Sequence, residues 1–123
     1  MNLDRKSMIL GAVSLTASAV LVFAPMHPAA AHPTVDIAVS NWKFTPAKIE
    51  AHVGEQMTLR FTSSEGVHGV ESADLGIPKT TISPGKVVEV AFTPKKPGTY
   101  VIHCAVLCGE GHDKMTLTVE VKG

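Results

Sequence analysis

From Thr34 onward the chain repeats one local pattern, an alternation of apolar and polar residues, and that pattern commits it to a sheet-built fold. Successive side chains of a strand point to opposite faces, so a period of two gives one face to a core and the other to water. "TVDIAVS" alternates in this way, and "WKF" carries the alternation toward Pro46. "AKIEAHV" runs into a turn at Gly54. "QMTLRFTS" sets Met57, Leu59 and Phe61 against polar neighbours, and "KVVEVAFTP" places Val88, Val90 and Phe92 on one face. "GTYVIHC" and "MTLTVEV" complete the set, with "PGK" and "KKPGT" as punctuation. No stretch of ten residues carries a helical period. The expectation is an all-β domain, a Greek-key β-sandwich of seven or eight short strands. Met57, Phe92 and Tyr100 are expected in its core, and His52 on its surface.

The first residues read differently. "MNLDRKS" carries Arg5 and Lys6, an apolar run covers residues 8–24, and "PMHPAAAHP" follows with Ala29 and Ala31 as small residues. A charged start, an apolar middle and a small-residue end make an export signal. Residues 1–31 are therefore expected to be a signal peptide cleaved after Ala31, leaving residues 32–123 as one domain. The alternative is a retained N-terminal anchor, for which a run of about 17 residues is short. Membrane attachment is expected only in that case. Without Asp4, Arg5 and Lys6 the domain holds nine basic and ten acidic residues, a balance that points away from nucleic acid. Export means a periplasmic or otherwise oxidising compartment, where paired cysteines often form disulfides.

Both cysteines lie in "HCAVLCGEGHDKM", between the last two expected strands. Cys104, Cys108, His112 and Met115 fall within twelve residues, in one loop at an end of the sandwich. Thiolate, imidazole and a weak thioether are the donors that copper sites use. A second imidazole has to come from elsewhere, and His68 in "SSEGVHGVES" is the candidate, expected in a turn because Gly66 and Gly69 flank it. A Cys104–Cys108 disulfide would leave His112 and Met115 without a role. A zinc site of His68, Cys104, Cys108 and His112 would leave Met115 idle. A c-type haem is excluded, because three residues separate the cysteines and Gly109 follows the second. A mononuclear copper site of His68, Cys108, His112 and Met115 fits the donors as well. His103 precedes Cys104 on a strand and should point to the opposite face. His32 would open the mature chain, where amine and imidazole together can chelate copper.

The spacing C-x3-C-x3-H-x2-M in "CAVLCGEGHDKM" resembles the binuclear copper (CuA) loop of cytochrome c oxidase subunit II and nitrous oxide reductase. "VHGVE" is similar to that family's first-histidine segment, and "FTPAKIEAHVGEQMTLRFTS" and "PGTYVIHC" are similar to its cupredoxin strands. The resemblance implies that Cys104 and Cys108 bridge two coppers and that His68 and His112 each cap one. It also implies that Met115 and the main-chain carbonyl of Val106 are the weak ligands. The implied function is single-electron transfer by an exported protein that is not itself an enzyme, with a c-type cytochrome or a terminal oxidase or reductase as partner. Delivery of copper to such an enzyme is the alternative. Oxidase subunits typically carry glutamate where this chain has Val106. The carbonyl role survives that change, but the metal held by the glutamate side chain at the catalytic subunit does not. The chain lacks a dense aromatic group near the loop, and its single Trp42 lies far away in sequence. A free-standing or singly anchored carrier is the implied form. Around the loop, Glu65, Glu71, Asp74, Glu110 and Asp113, set against Lys79 and Lys114, are expected to form an acidic rim. Ala105, Val106 and Leu107 would supply an apolar contact within it.

Overall fold

The computed structural model describes residue 11 and residues 17–24, 32–107 and 109–123. The expected cleavage after Ala31 and residues 8–10 and 12–16 of the apolar run lie outside them. Among the described residues no helix is long and apolar enough to cross a membrane.

Among the described residues the chain forms nine strands, named β1 to β9 in order: Thr34–Ser40, Lys43–Thr45, Lys48–His52, Met57–Ser63, His68–Ser72, Ile77–Ile82, Val87–Phe92, Gly98–His103 and Thr116–Lys122. A single 3-10 turn, His112–Lys114, precedes β9. The strands make two sheets, ordered β2-β1-β4-β7 and β3-β9-β8-β5-β6. The pairs β1–β4 and β3–β9 are parallel, and the other ladders are antiparallel. This is the expected all-β sandwich with more strands than the apolar pattern separates. "WKF" does not continue β1. The chain reverses at Asn41 and Trp42, and Lys43 pairs back on Ser40. "HGVES" and "IPKTTI" pair with each other as β5 and β6, although neither alternates cleanly.

The alternation converts directly into a core. Ile37 and Val39 of β1, Leu59 and Phe61 of β4, Ile102 of β8 and Leu117 and Val119 of β9 have no exposed surface. Phe44 meets Phe61 edge to face at 6.2 Å and 68°, the arrangement that the ring quadrupoles favour. Each such side chain contributes about 1.5–3 kcal/mol by leaving water. Met57 and Phe92 are buried as expected, while Tyr100 is half-buried and donates its hydroxyl to the Lys96 carbonyl at 2.8 Å.

The register decides what meets at each end. Because β1 and β4 run parallel, with Val39 opposite Ser63, both finish at the same end. β5 starts and β8 finishes at that end as well, since Glu71 pairs with His103 in an antiparallel ladder. β9 then begins opposite His103, at Thr116. The turn at Asn41 and Trp42, the turn at residues 64–67 and the loop at residues 104–115 therefore share one end of the sandwich.

Candidate metal centre

His68 is the first residue of β5, not part of a turn, and it is fully buried. The glycine after it has a different use from the one expected. A Cβ on Gly69 would lie 2.7 Å from Val106 Cγ2 and 3.1 Å from the Thr80 carbonyl oxygen. Gly69 thus allows close approach of the Val106 backbone, a common reason for glycine inside a strand. The turn lies just upstream, where Gly66 has φ +73° and the Ser63 hydroxyl sits 3.0 Å from the Glu65 carbonyl oxygen and 2.8 Å from that of Gly66.

That turn sets the state of the imidazole. His68 Nε2 lies 2.9 Å from the carbonyl oxygen of Glu65. A carbonyl only accepts, so Nε2 carries the proton and Nδ1 presents a lone pair. Nδ1 is buried and has no hydrogen-bond partner among the described residues. Leaving a buried polar atom unsatisfied costs about 1–3 kcal/mol, so such an atom calls for a ligand. A metal-binding histidine typically donates its second nitrogen to a carbonyl or carboxylate, which fixes tautomer and ring orientation. The donor set at His68 fits a metal on Nδ1.

The loop carries the other expected donors. Cys104 is buried, its amide donates to the Met115 carbonyl at 3.2 Å, and its thiol donates to the Val106 carbonyl at 3.1 Å. The first of these bonds extends the β8–β9 ladder by one step, which places Cys104 beside Met115. Met115 is fully buried, and its amide donates to the His112 carbonyl at 3.2 Å. His112 opens the 3-10 turn and is half-buried. Val106 is half-buried against Gly69, next to His68. The fold thus ties Cys104, Val106 and Met115 together and lays Val106 on the strand of His68. Cys108 lies outside the described residues, and among those described no three His, Cys, Asp or Glu side chains gather closely enough to hold a metal ion. His103, His52 and His32 are exposed.

Trp42, remote from the loop in sequence, stands beside it in the fold. A Cβ on Gly109 would lie 2.8 Å from Trp42 Nε1, and a Cβ on Gly111 would overlap the Cβ and Cγ of Trp42. The indole therefore lies against the loop at two glycines. Sequence distance concealed this, because parallel pairing of β1 with β4 brings the first turn to the metal end. The available signal was the pair Gly109 and Gly111, two missing side chains where a lone tryptophan needs room.

The rim is smaller than expected. Glu65, Glu110, Asp113 and Lys114 are exposed near the loop. Asp74 lies in the turn after β5, at the far end of that strand from His68, and Lys79 follows it on β6. Glu71 is within β5, opposite His103. Leu107 is 86% exposed, and Val67 and Trp42, on the other two turns at this end, are exposed as well. Ala105 and Val106 are half-buried.

The family model described as a cupredoxin-like domain matches residues 12–119. Cytochrome c oxidase subunit 2 of Thermus thermophilus is 34% identical over 91 residues, covering 72% of this chain and 65% of the relative. A second subunit 2 sequence from that species matches at the same identity over 52% of its length, so the chain spans about half to two-thirds of these relatives. Among solved structures, a chain of a heme-copper terminal oxidase dimer superposes with TM-score 0.64 and 26% identity, covering 74% of this chain and 65% of that one. The periplasmic domain of subunit II of the Bradyrhizobium japonicum cytochrome oxidase shares the fold, with TM-score 0.66 and 18% identity over 73% of this chain and 83% of that one.

Proposed function

The chain belongs to the cupredoxin-like domain family, with relatives among the copper-domain subunits of cytochrome oxidases, and on that premise we propose that it is an exported, copper-binding electron carrier with a binuclear CuA-type centre. The observation that carries this reading is the buried Nδ1 of His68, which has no hydrogen-bond partner among the described residues, on a ring whose Nε2 meets the Glu65 carbonyl. The strand register puts His68 at the end where C-x3-C-x3-H-x2-M closes. Cys104 and Cys108 would bridge the two ions, His68 and His112 would each cap one, and the Val106 carbonyl and Met115 thioether would be the weak ligands. Copper would supply a one-electron couple.

The chain's own residues prepare for it. Glu65 fixes the His68 tautomer before any metal arrives. The Cys104 thiol donates to the Val106 carbonyl, and metal binding requires the thiol proton to leave. Its loss frees the same carbonyl for the metal. Rigid strands on either side limit ligand movement between oxidation states, which favours fast transfer. Catalysis would belong to a larger complex. The mononuclear site and copper delivery remain the rival readings. Delivery is favoured by the exposure of Leu107 at the loop.

The test is copper stoichiometry with electron paramagnetic resonance on chain reconstituted from the reduced form. The complete site should take two ions per chain, with hyperfine splitting from two nuclei. Cys104→Ser should leave one ion with splitting from one nucleus. One ion in the parent chain and an unchanged resonance in Cys104→Ser would establish the mononuclear site instead. The partner is a cationic redox protein such as a c-type cytochrome, drawn to Glu65, Glu110 and Asp113. Salt should therefore slow the bimolecular transfer.

A further inference from the structure

We infer that Glu65 is a positioning residue for the metal centre, acting on its buried and its loop side at once. The inference rests on the copper reading above. The main-chain carbonyl of Glu65 accepts a hydrogen bond from His68 Nε2 at 2.9 Å. Its side chain reaches the other way, where Oε1 accepts the Asn41 amide at 3.2 Å. The two turns are in contact as well, since a Cβ on Gly66 would lie 3.0 Å from Asn41 Oδ1. One residue therefore joins the turn that orients His68 to the turn that carries Trp42.

The joined turn is strained. Trp42 has φ +68°, in the left-handed region. That conformation costs an L-residue roughly 1–2 kcal/mol and is ordinarily left to glycine or asparagine. Here asparagine stands one place earlier and the bulky residue takes the position. Strain of this kind persists where the surroundings over-determine it. Two contacts do so. The carboxylate of Glu65 holds the amide just before the strained residue, and the indole lies on Gly109 and Gly111. Between Cys104 and the 3-10 turn at His112 the described loop has no strand or helix of its own. Trp42 is its roof, and Glu65 keeps the roof closed.

A merely acidic rim residue would act through its charge, whereas a positioning residue acts through its acceptor oxygen. Glu65→Ala removes both, and Glu65→Gln keeps an oxygen for Asn41. Trp42 is the chain's single tryptophan, so its fluorescence reports this turn alone. In the metal-free full chain, Glu65→Ala should red-shift Trp42 emission and raise its quenching by acrylamide. In the copper-loaded chain it should speed copper release to a chelator roughly two- to five-fold, the range open to one exposed charge-assisted hydrogen bond. Glu65→Gln should return most of both values. Unchanged quenching in Glu65→Ala would overturn the inference, as would equal behaviour of the two variants. Altered quenching with unchanged copper release would confine Glu65 to holding the turn, and the metal role would fall. A parent chain that takes up no copper would instead sink the copper reading itself, while the quenching comparison still decides what Glu65 does to Trp42.

Discussion

The two halves of the candidate centre are built by different means. His68 sits inside a ladder, with Ile82 as its partner on β6, and its ring is wholly buried. Among the described residues of the loop half, the bond from the Cys104 amide to the Met115 carbonyl continues the β8–β9 ladder by one step, and no strand follows before Thr116. The loop is held by contacts with Trp42 and by the 3-10 turn. The difference divides the labour. A ligand in a strand is fixed by the cohesion of the whole sandwich, while a ligand in a loop is fixed only as well as its local supports allow. A preorganised site needs both. The same side-chain chemistry should then have a different stability cost on each side.

The sharpest break of that comparison pairs His68→Ala with His112→Ala in the metal-free chain. His68→Ala empties a fully buried position and removes the bond to Glu65, so it should cost about 2–3 kcal/mol. His112 is half-buried in a loop, and its removal should cost less than about 1 kcal/mol. Both should remove or alter bound copper. Chemical denaturation of the two variants decides it. Equal losses of stability would mean that the two halves are equally embedded.

Next in size is Gly111→Ala. The backbone at Gly111 is ordinary, with φ −88°, so no conformational penalty arises. The added methyl meets the Cβ and Cγ of Trp42, and the indole must leave the loop. Overpacking of this kind costs about 1–3 kcal/mol. Adding Trp42→Ala should remove most of that increment, a coupling that a double-mutant cycle measures. Additive effects would show that Trp42 does not support the loop.

The same division explains what could be read from the residues. In the body, alternation was enough, because each apolar position of β4 and β9 has one face to choose and the core takes it. The loop stood out as the candidate site, since four sulfur and nitrogen side chains at fixed spacing have few structural reasons to coincide, and the structure describes three of them, Cys104, His112 and Met115. Three features escaped. His68 was expected in a turn because glycines flank it, but Gly69 serves the approach of Val106, a contact 37 residues away in the chain. Trp42 was set aside for its distance from the loop, which only the parallel β1–β4 register removes. Asp74 and Lys79 were taken for rim residues because they follow His68, while β5 carries the chain to the opposite end. Local pattern reports periods and spacings. It does not report which turns meet, and the supports of the loop are contacts between turns.

Met115 tests the loop half more gently. It is fully buried, so Met115→Leu is a volume-conserving change that should cost less than about 1 kcal/mol. A weak thioether tunes a copper potential more than it retains the ion. Copper content should therefore hold while the potential moves, as read by redox titration. Loss of all copper would mean that Met115 anchors the metal.

The smallest effect should come from the body's outer face and should leave the metal end untouched. Glu50 and Glu120 stand directly opposite each other on β3 and β9, a like-charge pair. Lys48 answers it at 3.0 Å from Glu120, and Lys122 lies 3.6 Å from Glu50. The hydrogen bond and charge of Lys48 hold the Glu120 carboxyl below its ordinary range, with Lys122 adding to the effect. A carboxyl whose pKa is lower folded than unfolded stabilises the fold above its unfolded pKa, and the benefit fades as pH falls through the folded one. Lys48→Ala should therefore lower the melting temperature slightly at neutral pH. The gap from the parent chain should close as pH falls below the ordinary carboxylate range, and salt should narrow it at neutral pH. Trp42 quenching and copper release should not change, because Lys48 answers Glu120 on the outer face of β3 and β9 rather than a residue of the turns around the loop. A changed copper release rate in Lys48→Ala would show that the sheet passes strain to the metal end, and the separation between a rigid body and a locally supported loop would have to be given up.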